Sequence, residues 1–268
     1  MIIDFHTHVF PDKIADKTID LLARKGSIPA FADGKVTGLL EKMEEAGVDV
    51  SVILPVMTRP DQFESVNKYA AALNEEFRNE KRRLISFGGI HPECDDVEGK
   101  MRAIKEAGFL GVKIHPDYQG CYVNCDGYVK IMECAKEHDL IVVTHAGIDA
   151  AYRATPKCTP ELILELIRRV PHSKFVLAHY GANELFDAAY ELLAGEDVYF
   201  DTAYVLRFIS EEKFKKILAK HGSDRVLFAS DSPWSDMKGD VDIIRSYKLP
   251  REDEEKIFSA NAKKLLNI

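Results

Sequence analysis

The chain has 268 residues, of which 46% are hydrophobic and 30% charged, and its formal net charge is −8 at pH 7. A chain of this length suits one α/β barrel and can bury a large core without disulfides or structural metals. The negative charge argues against a nucleic-acid partner and against an anionic membrane surface. It leaves a small-molecule substrate open, because a local pocket can oppose the overall sign.

The five cysteines are odd in number and irregular in spacing. Cys121 and Cys125 are four residues apart, with no second pair to complete a zinc knuckle. We therefore expect reduced thiols in a cytoplasmic protein. The chain opens directly into a strand-like segment, and no apolar run approaches the roughly 20 residues of a membrane helix, so neither a signal peptide nor a membrane span is expected.

Eight short apolar segments predict strands. In chain order they are Ile2–Thr7, Val48–Leu54, Leu84–Ile90, Phe109–Ile114, Leu140–Thr144, Lys174–Ala178, Val198–Asp201 and Arg225–Ser230. The runs Ile141–Val143 and Phe175–Leu177 are too apolar for strands with one face in water. They indicate strands buried on both sides, as in a parallel sheet.

Longer segments with apolar residues at three- and four-residue spacing predict helices between most of these strands. They are Asp61–Asn79, Val97–Ala107, Tyr128–His138, Pro160–Val170, Asn183–Ala194 and Ser210–His221. The segment Lys25–Val36, rich in small residues, predicts a long loop over the barrel mouth. Strands that alternate with helices in this way predict a (β/α)₈ TIM barrel, with one domain over residues 1–268. An open sheet of seven or eight strands is the alternative.

The nine histidines divide between the two ends of the predicted barrel. Six stand at the C-terminal end of a strand: His6, His8, His91, His115, His145 and His179. His138, His172 and His221 lie in the connections that lead from a helix to the next strand. Barrel enzymes carry their chemistry at the C-terminal ends of the strands, so we expect a functional cluster there.

His6 and His8 are two residues apart on the first strand, so their side chains share a face, with Cβ atoms about 6.5–7 Å apart. Two imidazoles at that span can bind one metal ion. His145 and His179 each follow an apolar strand and precede a glycine by two residues. A hydrogen-bonded structural histidine is the alternative interpretation for either of them taken alone.

Asp231 ends the last strand, directly after a very apolar run. A bare carboxylate is costly to bury, so this one must bind a metal or form a salt bridge. In a closed barrel the last strand lies beside the first, which would place Asp231 next to His6 and His8, with His145 across the mouth. Three neutral imidazoles and one carboxylate suit Zn²⁺, with Mn²⁺, Fe²⁺ and Co²⁺ as alternatives.

Several motifs, in order and at barrel spacing over nearly the whole chain, resemble the amidohydrolase superfamily. The resemblance is strongest to its amidohydrolase-2 group, which includes decarboxylases of the aminocarboxymuconate-semialdehyde type. The motifs are Asp4-Phe5-His6-Thr7-His8, Gly111-Val112-Lys113-Ile114-His115-Pro116, Thr144-His145, Ala178-His179-Tyr180-Gly181, Phe228-Ala229-Ser230-Asp231-Ser232-Pro233 and Ile257-Phe258-Ser259-Ala260-Asn261-Ala262.

The resemblance implies that His6, His8, His145 and Asp231 bind one divalent metal ion. It also implies that His179 does not bind the metal, but contacts the substrate or the metal-bound water. A metal ion lowers the pKa of bound water to about 7. Asp231 could then take the proton of that water, and His179 could stabilise the charge that develops on a substrate oxygen, which makes both catalytic candidates.

Lys113 leaves a second metal arrangement open. Some members of the superfamily carboxylate a lysine on this strand and use it to bridge two metals; otherwise an inward Lys113 would pair with an acid or bind a substrate carboxylate. His91 and His115 are expected to line the mouth and contact the substrate. Arg153, in the loop after His145, is the first choice for gripping a carboxylate.

Three functions are compatible with these residues. The leading one is a metal-dependent hydrolase that attacks a C–N or C–O bond of a small amide, lactone or ester with a metal-activated water. The alternative is a non-oxidative decarboxylase that shares the same metal ligands. The third is a barrel that binds a ligand without turnover, which the complete His/His/His/Asp set argues against. A homodimer is the default expectation for a soluble enzyme.

Overall fold

The structure is a computed structural model that describes residues 1–80 and 82–268. Its parallel strands are β1 (Ile3–Thr7), β2 (Val50–Ile53), β3 (Arg83–Ser86), β4 (Gly88–Gly89), β5 (Gly111–Ile114), β6 (Ile141–Thr144), β7 (Phe175–Leu177), β8 (Tyr199–Asp201) and β9 (Val226–Leu227). β3 and β4 are two parts of one strand, interrupted at Phe87. Strands adjacent in the sequence are also adjacent in the sheet, as repeated β/α units require.

The first and last strands meet and close the ring. The backbone N–H of Phe5 donates to the carbonyl of Phe228 at 2.9 Å, and the N–H of Asp231 donates to the carbonyl of His6 at 2.9 Å. Thr7 and Ser232 form a parallel bridge one step further along. The predicted (β/α)₈ barrel is therefore confirmed, rather than the open sheet.

Helices cover the outside of the barrel. Their bounds are Asp12–Gly26, Val36–Ala46, Phe63–Glu76, Val97–Glu106, Pro116–Gln119, Asp126–Glu137, Pro160–Arg169, Phe186–Leu192, Glu211–His221, Met237–Ser246, Arg251–Glu255 and Asn261–Leu266, with a π-helical turn at Lys256–Ala260. All six predicted helices are present, with shifted ends. None of the helices in the described residues is long and apolar enough to cross a membrane.

The first two helices are not among the predicted ones. The helix Asp12–Gly26 buries only Ala15 and Ile19 and leaves Ile14 and Leu21 exposed, so few apolar residues mark its buried face in a segment rich in charged residues. It also shortens the predicted loop at Lys25–Val36 to residues 27–35. That loop does lie at the mouth, because the N–H of Phe31 donates to the carbonyl of Pro233 at 2.7 Å, just beyond the last strand.

A bulge in β1 turns the first histidine inward. β1 pairs with β2 in register at Asp4 and again at Thr7, but three residue steps on β1 match two on β2. Both Phe5, which belongs to the apolar cluster of the barrel interior, and His6 can therefore face inward.

Candidate metal centre

His6, His8 and Asp231 converge at the C-terminal ends of the first and last strands. The Nε2 atoms of His6 and His8 are 3.1 Å apart. Oδ1 of Asp231 lies 3.1 Å from Nε2 of His8 and 3.4 Å from Nε2 of His6. The two rings meet at 76°, so that their in-plane lone pairs can converge. The three side chains form a group that could hold one metal ion.

In each ring, the hydrogen-bond partner of Nδ1, the nitrogen that points away from the group, determines which nitrogen carries the proton. Nδ1 of His8 lies 2.7 Å from the carbonyl oxygen of Leu54, which can only accept, so Nδ1 is protonated and Nε2 of the neutral ring is bare. Nδ1 of His6 donates in the same way to Oδ2 of Asp201 at 2.8 Å. Burial lowers the pKa of His6 well below its usual value, which keeps this ring neutral at pH 7.

Two bare nitrogens and one carboxylate oxygen thus face one another, and none of the three supplies a hydrogen to the other two. Burial tends to raise the pKa of Asp231, but the nearby His6 and His8 bring it below its ordinary value, so the carboxylate is ionised. A divalent cation satisfies all three acceptors, and nitrogen and oxygen donors of this kind bind Zn²⁺ or Mn²⁺. The residues present therefore fit a divalent ion.

His145 and His179 lie at the same end of the barrel, as predicted. Nδ1 of His145 is 2.9 Å from Nε2 of His179, and Nδ1 of His179 donates to the carbonyl of Ala203 at 3.0 Å. The ring of His179 is 5.6 Å from that of His6, between centroids. Burial lowers the pKa values of both His145 and His179, so both rings are neutral.

The donor atoms of His145 group with His115 and Asp149 rather than with the first three side chains. The rings of His115 and His145 are stacked 4.3 Å apart, only 10° from parallel. Lone pairs in the planes of stacked rings run side by side and do not meet at one point. The first group is therefore the better ion site, and His145 as its fourth ligand stays a prediction.

Lys113 faces inward beside this group. Its Nζ lies 3.1 Å from Nε2 of His6, and the side chain is fully buried. Burial lowers the pKa of Lys113 to about 8. This position is compatible with either of the two roles considered for it, a carboxylated bridging lysine or a cation that binds a substrate carboxylate.

The other residues predicted to contact the substrate have partners outside the group of His6, His8 and Asp231. Nδ1 of His91 accepts a hydrogen bond from the backbone N–H of Glu93 at 3.1 Å. Arg153 is exposed, and its guanidinium pairs with Glu184 at 2.8 Å. Nε2 of His115 lies 3.6 Å from Oδ2 of Asp149. Substrate contact by His91, His115 and Arg153 therefore remains a prediction.

Two of the three histidines predicted for the opposite end have local structural contacts. Nε2 of His172 donates to the carbonyl of Leu140, immediately before β6 begins. Nδ1 of His221 accepts from the N–H of Gly195 at 3.2 Å, in the connection that leads to β8. Neither His172 nor His221 belongs to a metal-compatible group in the described part of the chain.

Asp201 is the site residue that sequence reasoning missed. Besides holding His6, its carboxylate accepts the backbone N–H of His179 at 2.9 Å and that of Ala203 at 3.1 Å. Burial raises the pKa of this side chain. A signal was present in the sequence, because Asp201 ends an apolar strand in the same way as Asp231.

Gln119 ties together three loops at the mouth. Its Oε1 accepts from the backbone N–H of His115 at 2.9 Å and from the hydroxyl of Tyr128 at 2.7 Å. Its Nε2 donates to the carbonyls of Met57 at 2.9 Å and Ile90 at 2.7 Å. All four partners of this buried amide lie after strands or in the helix that follows, so Gln119 fixes the wall of the mouth.

Two site residues have unusual backbone conformations. His179 has φ 61° and Asp231 has φ 69°, a region that residues with a Cβ rarely occupy. Each such residue costs about 1–3 kcal/mol and persists only where its surroundings hold it, typically at functional sites. Here the hydrogen bonds from the N–H groups of His179 to Asp201 and of Asp231 to His6 hold them.

A family model described as amidohydrolase matches residues 3–268. The chain therefore belongs to this family, the amidohydrolase-2 group that its motifs resemble. A search of curated proteins finds no match.

Solved structures with the same fold include two decarboxylases. The 5-carboxyvanillate decarboxylase of Sphingomonas paucimobilis is 15% identical, with a TM-score of 0.72 over 100% of this chain and 99% of that one. A dihydroxybenzoic acid decarboxylase from Polaromonas sp. with bound manganese is 16% identical, with a TM-score of 0.73 over 99% and 96%. An uncharacterised TIM-barrel protein from Bordetella bronchiseptica is 17% identical, with a TM-score of 0.76 over 99% and 98%. At these identities the likeness establishes the fold.

Proposed function

We propose that the protein is a metal-dependent, non-oxidative decarboxylase of a small carboxylate substrate. One divalent ion is held by His6, His8 and Asp231, with His145 as the predicted fourth ligand. The observation that carries the proposal is Lys113, a buried amine 3.1 Å from Nε2 of His6. Together with a bound ion, the ammonium group of Lys113 makes this site positively charged, which favours the binding of a substrate carboxylate. The decarboxylases among the similar structures favour the same reaction over hydrolysis.

In such a reaction the bond between carbon and carboxylate breaks, the electron pair stays on the carbon, and the carbon takes up one proton as CO₂ leaves. A divalent ion held by His6, His8 and Asp231 would supply positive charge that orients the carboxylate and draws electrons from the reacting carbon. Lys113 holds the carboxylate by its charge. Asp231 takes up a proton at the mouth and delivers it to the carbon. Nε2 of His179, which lies 2.9 Å from Nδ1 of His145, would accept a hydrogen bond from the substrate in place of the one from His145.

Hydrolysis of an amide, lactone or ester is the second candidate. It is favoured by the ionised Asp231, whose Oδ1 lies 3.1 Å from Nε2 of His8 and could take the proton of an attacking water. Both candidates need the same ion, so the two reactions have to be separated by their products.

The experiment loads the full-length protein with Zn²⁺, Mn²⁺, Fe²⁺ or Co²⁺ in turn and offers aromatic and enoic acids with a ¹³C-labelled carboxyl group. Metal-dependent release of labelled CO₂, abolished in Lys113→Met, supports the decarboxylase. A parallel panel of lactones, amides and esters in H₂¹⁸O tests for water incorporation. Incorporation without CO₂ release would establish the hydrolase instead, and binding without either product would favour the non-catalytic barrel.

A further inference from the structure

Three of the histidines at the site have the same kind of hydrogen-bond partner at the ring nitrogen that points away from the site. His6, His8 and His179 each direct Nδ1 at a fixed acceptor: a carboxylate for His6, and carbonyl oxygens for the other two. These acceptors fix the proton on Nδ1 and leave Nε2 bare on the site side. His145 is the exception, because its Nδ1 faces the site and its Nε2 points away.

Nε2 of His145 has no hydrogen-bond partner among the residues that the structure describes, although the side chain is 4% exposed. The nearest carboxylate oxygen is Oδ2 of Asp117, 4.0 Å away, and that atom is also buried without a partner. Asp117 itself is 2% exposed. Two unpaired polar atoms therefore face each other across a gap that a small movement of either side chain would close.

The hydrogen bonds of His145 and His179 explain why Nε2 of His145 and Oδ2 of Asp117 are not hydrogen-bonded to each other. His179 donates from Nδ1 to the carbonyl of Ala203, so its neutral ring can only accept at Nε2. Nδ1 of His145, 2.9 Å away, must then carry a proton and donate to it. That tautomer leaves Nε2 of His145 bare, facing a carboxylate that also only accepts.

Moving the proton of His145 from Nδ1 to Nε2 resolves both mismatches at once. Nε2–H becomes a donor toward Oδ2 of Asp117, and the lone pair of Nδ1 becomes free on the site side. His179 loses its donor, which frees its Nε2 for a substrate hydrogen bond. The other oxygen of Asp117 is anchored, since Oδ1 accepts the backbone N–H of Lys157 at 2.9 Å.

We propose that Asp117 is a positioning residue that sets the metal-binding tautomer of His145, with Nε2–H donated to Asp117 and Nδ1 offered to the ion. This inference rests on the metal centre of the proposed function, but not on the reaction catalysed there. It gives His145 the same kind of outer partner that Asp201 provides for His6 and the Leu54 carbonyl for His8.

The test is metal affinity in the full-length protein, without substrate. Asp117→Asn keeps an acceptor for the N–H of Lys157 but turns an amide NH₂ toward Nε2 of His145, which favours the wrong tautomer. We expect Zn²⁺ binding, measured by competition with a chelator, to weaken by about 10-fold or more, the scale of lost outer-partner contacts. Asp240→Asn is the matched control: Asp240 is 2% exposed and its Oδ2 is likewise buried without a hydrogen-bond partner, but it belongs to no metal-compatible group of the described residues, so zinc affinity should stay within about two-fold.

A second readout separates positioning from general damage. In the ¹⁵N-histidine-labelled zinc protein, His145 should show a protonated Nε2 and a metal-bound Nδ1, and the exchange of its Nε2 proton should be faster in Asp117→Asn. Equal zinc affinity in the two variants, or zinc bound through Nε2, would overturn the proposal. The variant His6→Ala tests the metal centre itself. If this variant keeps its zinc, the assignment of His6 as a ligand is wrong, independently of the role of Asp117.

Discussion

Nδ1 of His6 lies 2.8 Å from Oδ2 of Asp201, and both side chains are almost completely buried. Water therefore has no access to replace this contact. The other oxygen of the same carboxylate holds the backbone N–H of His179 at 2.9 Å. One side chain thus fixes the tautomer of a candidate metal ligand and the backbone of a candidate catalytic residue.

Replacing Asp201 with Asn should therefore weaken metal binding. The amide oxygen can accept either from the ring N–H of His6 or from the backbone N–H groups of His179 and Ala203, and the NH₂ group then faces the other side. We expect a 10- to 100-fold loss of Zn²⁺ affinity, as for other outer partners of metal-bound histidines. Asp240→Asn is the control, because burial raises the pKa of Asp240 to about 8 and the neutral acid is closely matched by Asn. Equal affinities of the two variants would contradict the assigned role of Asp201.

Replacing His179 with Asn should leave the ion in place while turnover falls by roughly 10²-fold or more, the scale of a lost acid–base contact. The reason is that His179 is predicted to contact the substrate and not the ion. Metal content and product formation are measured on the same preparation. A folded variant without metal would instead make His179 a ligand, in the two-metal arrangement with a carboxylated Lys113 that intact-protein mass would reveal.

Replacing Gln119 with Leu should destabilise the fold, because four hydrogen-bonding groups around a buried amide lose their partner at once. With about 1–3 kcal/mol for each group left unsatisfied, and some regained by water, we expect a loss of about 3 kcal/mol or more. Tyr128→Phe removes only one of these bonds and should cost about 1 kcal/mol. Urea unfolding at equal metal content measures both, and similar losses would show that Gln119 does not brace the mouth.

His221 should make the protein less stable in mild acid. Its ring stacks on Phe200 at 3.8 Å, and burial lowers its pKa from 6.5 to about 4. Between these pH values the unfolded chain binds a proton that the folded protein does not, so the free energy of unfolding falls as the pH falls. His221→Gln should make that slope shallower by about 1.4 kcal/mol per pH unit near pH 5. Urea titrations of metal-free protein from pH 7.5 to 4.5 give the slopes, and parallel slopes would refute the assignment.

The sequence predicted those parts of the molecule that local patterns determine. Apolar strands that end in polar residues were sufficient to predict the barrel and to place His6, His8, His179 and Asp231 at one end of it. The partners of these residues were not predictable in the same way. Asp201 meets His6 across 195 positions of sequence, so only the closed barrel brings them together. The first helix, Asp12–Gly26, was not predicted either, because charged residues are interspersed among its apolar ones.

The candidate metal centre lies on the seam of the barrel, with Asp231 separated from His8 by 223 positions of sequence. A nascent chain that lacks its last strand already has both histidines of the first strand but no complete site. Ring closure also joins the most distant segments and so carries the largest chain-entropy cost. An ion that binds only the closed ring adds to stability in proportion to the logarithm of its concentration. Such an ion would hold the first and last strands together, so the completion of folding would depend on the metal available during synthesis.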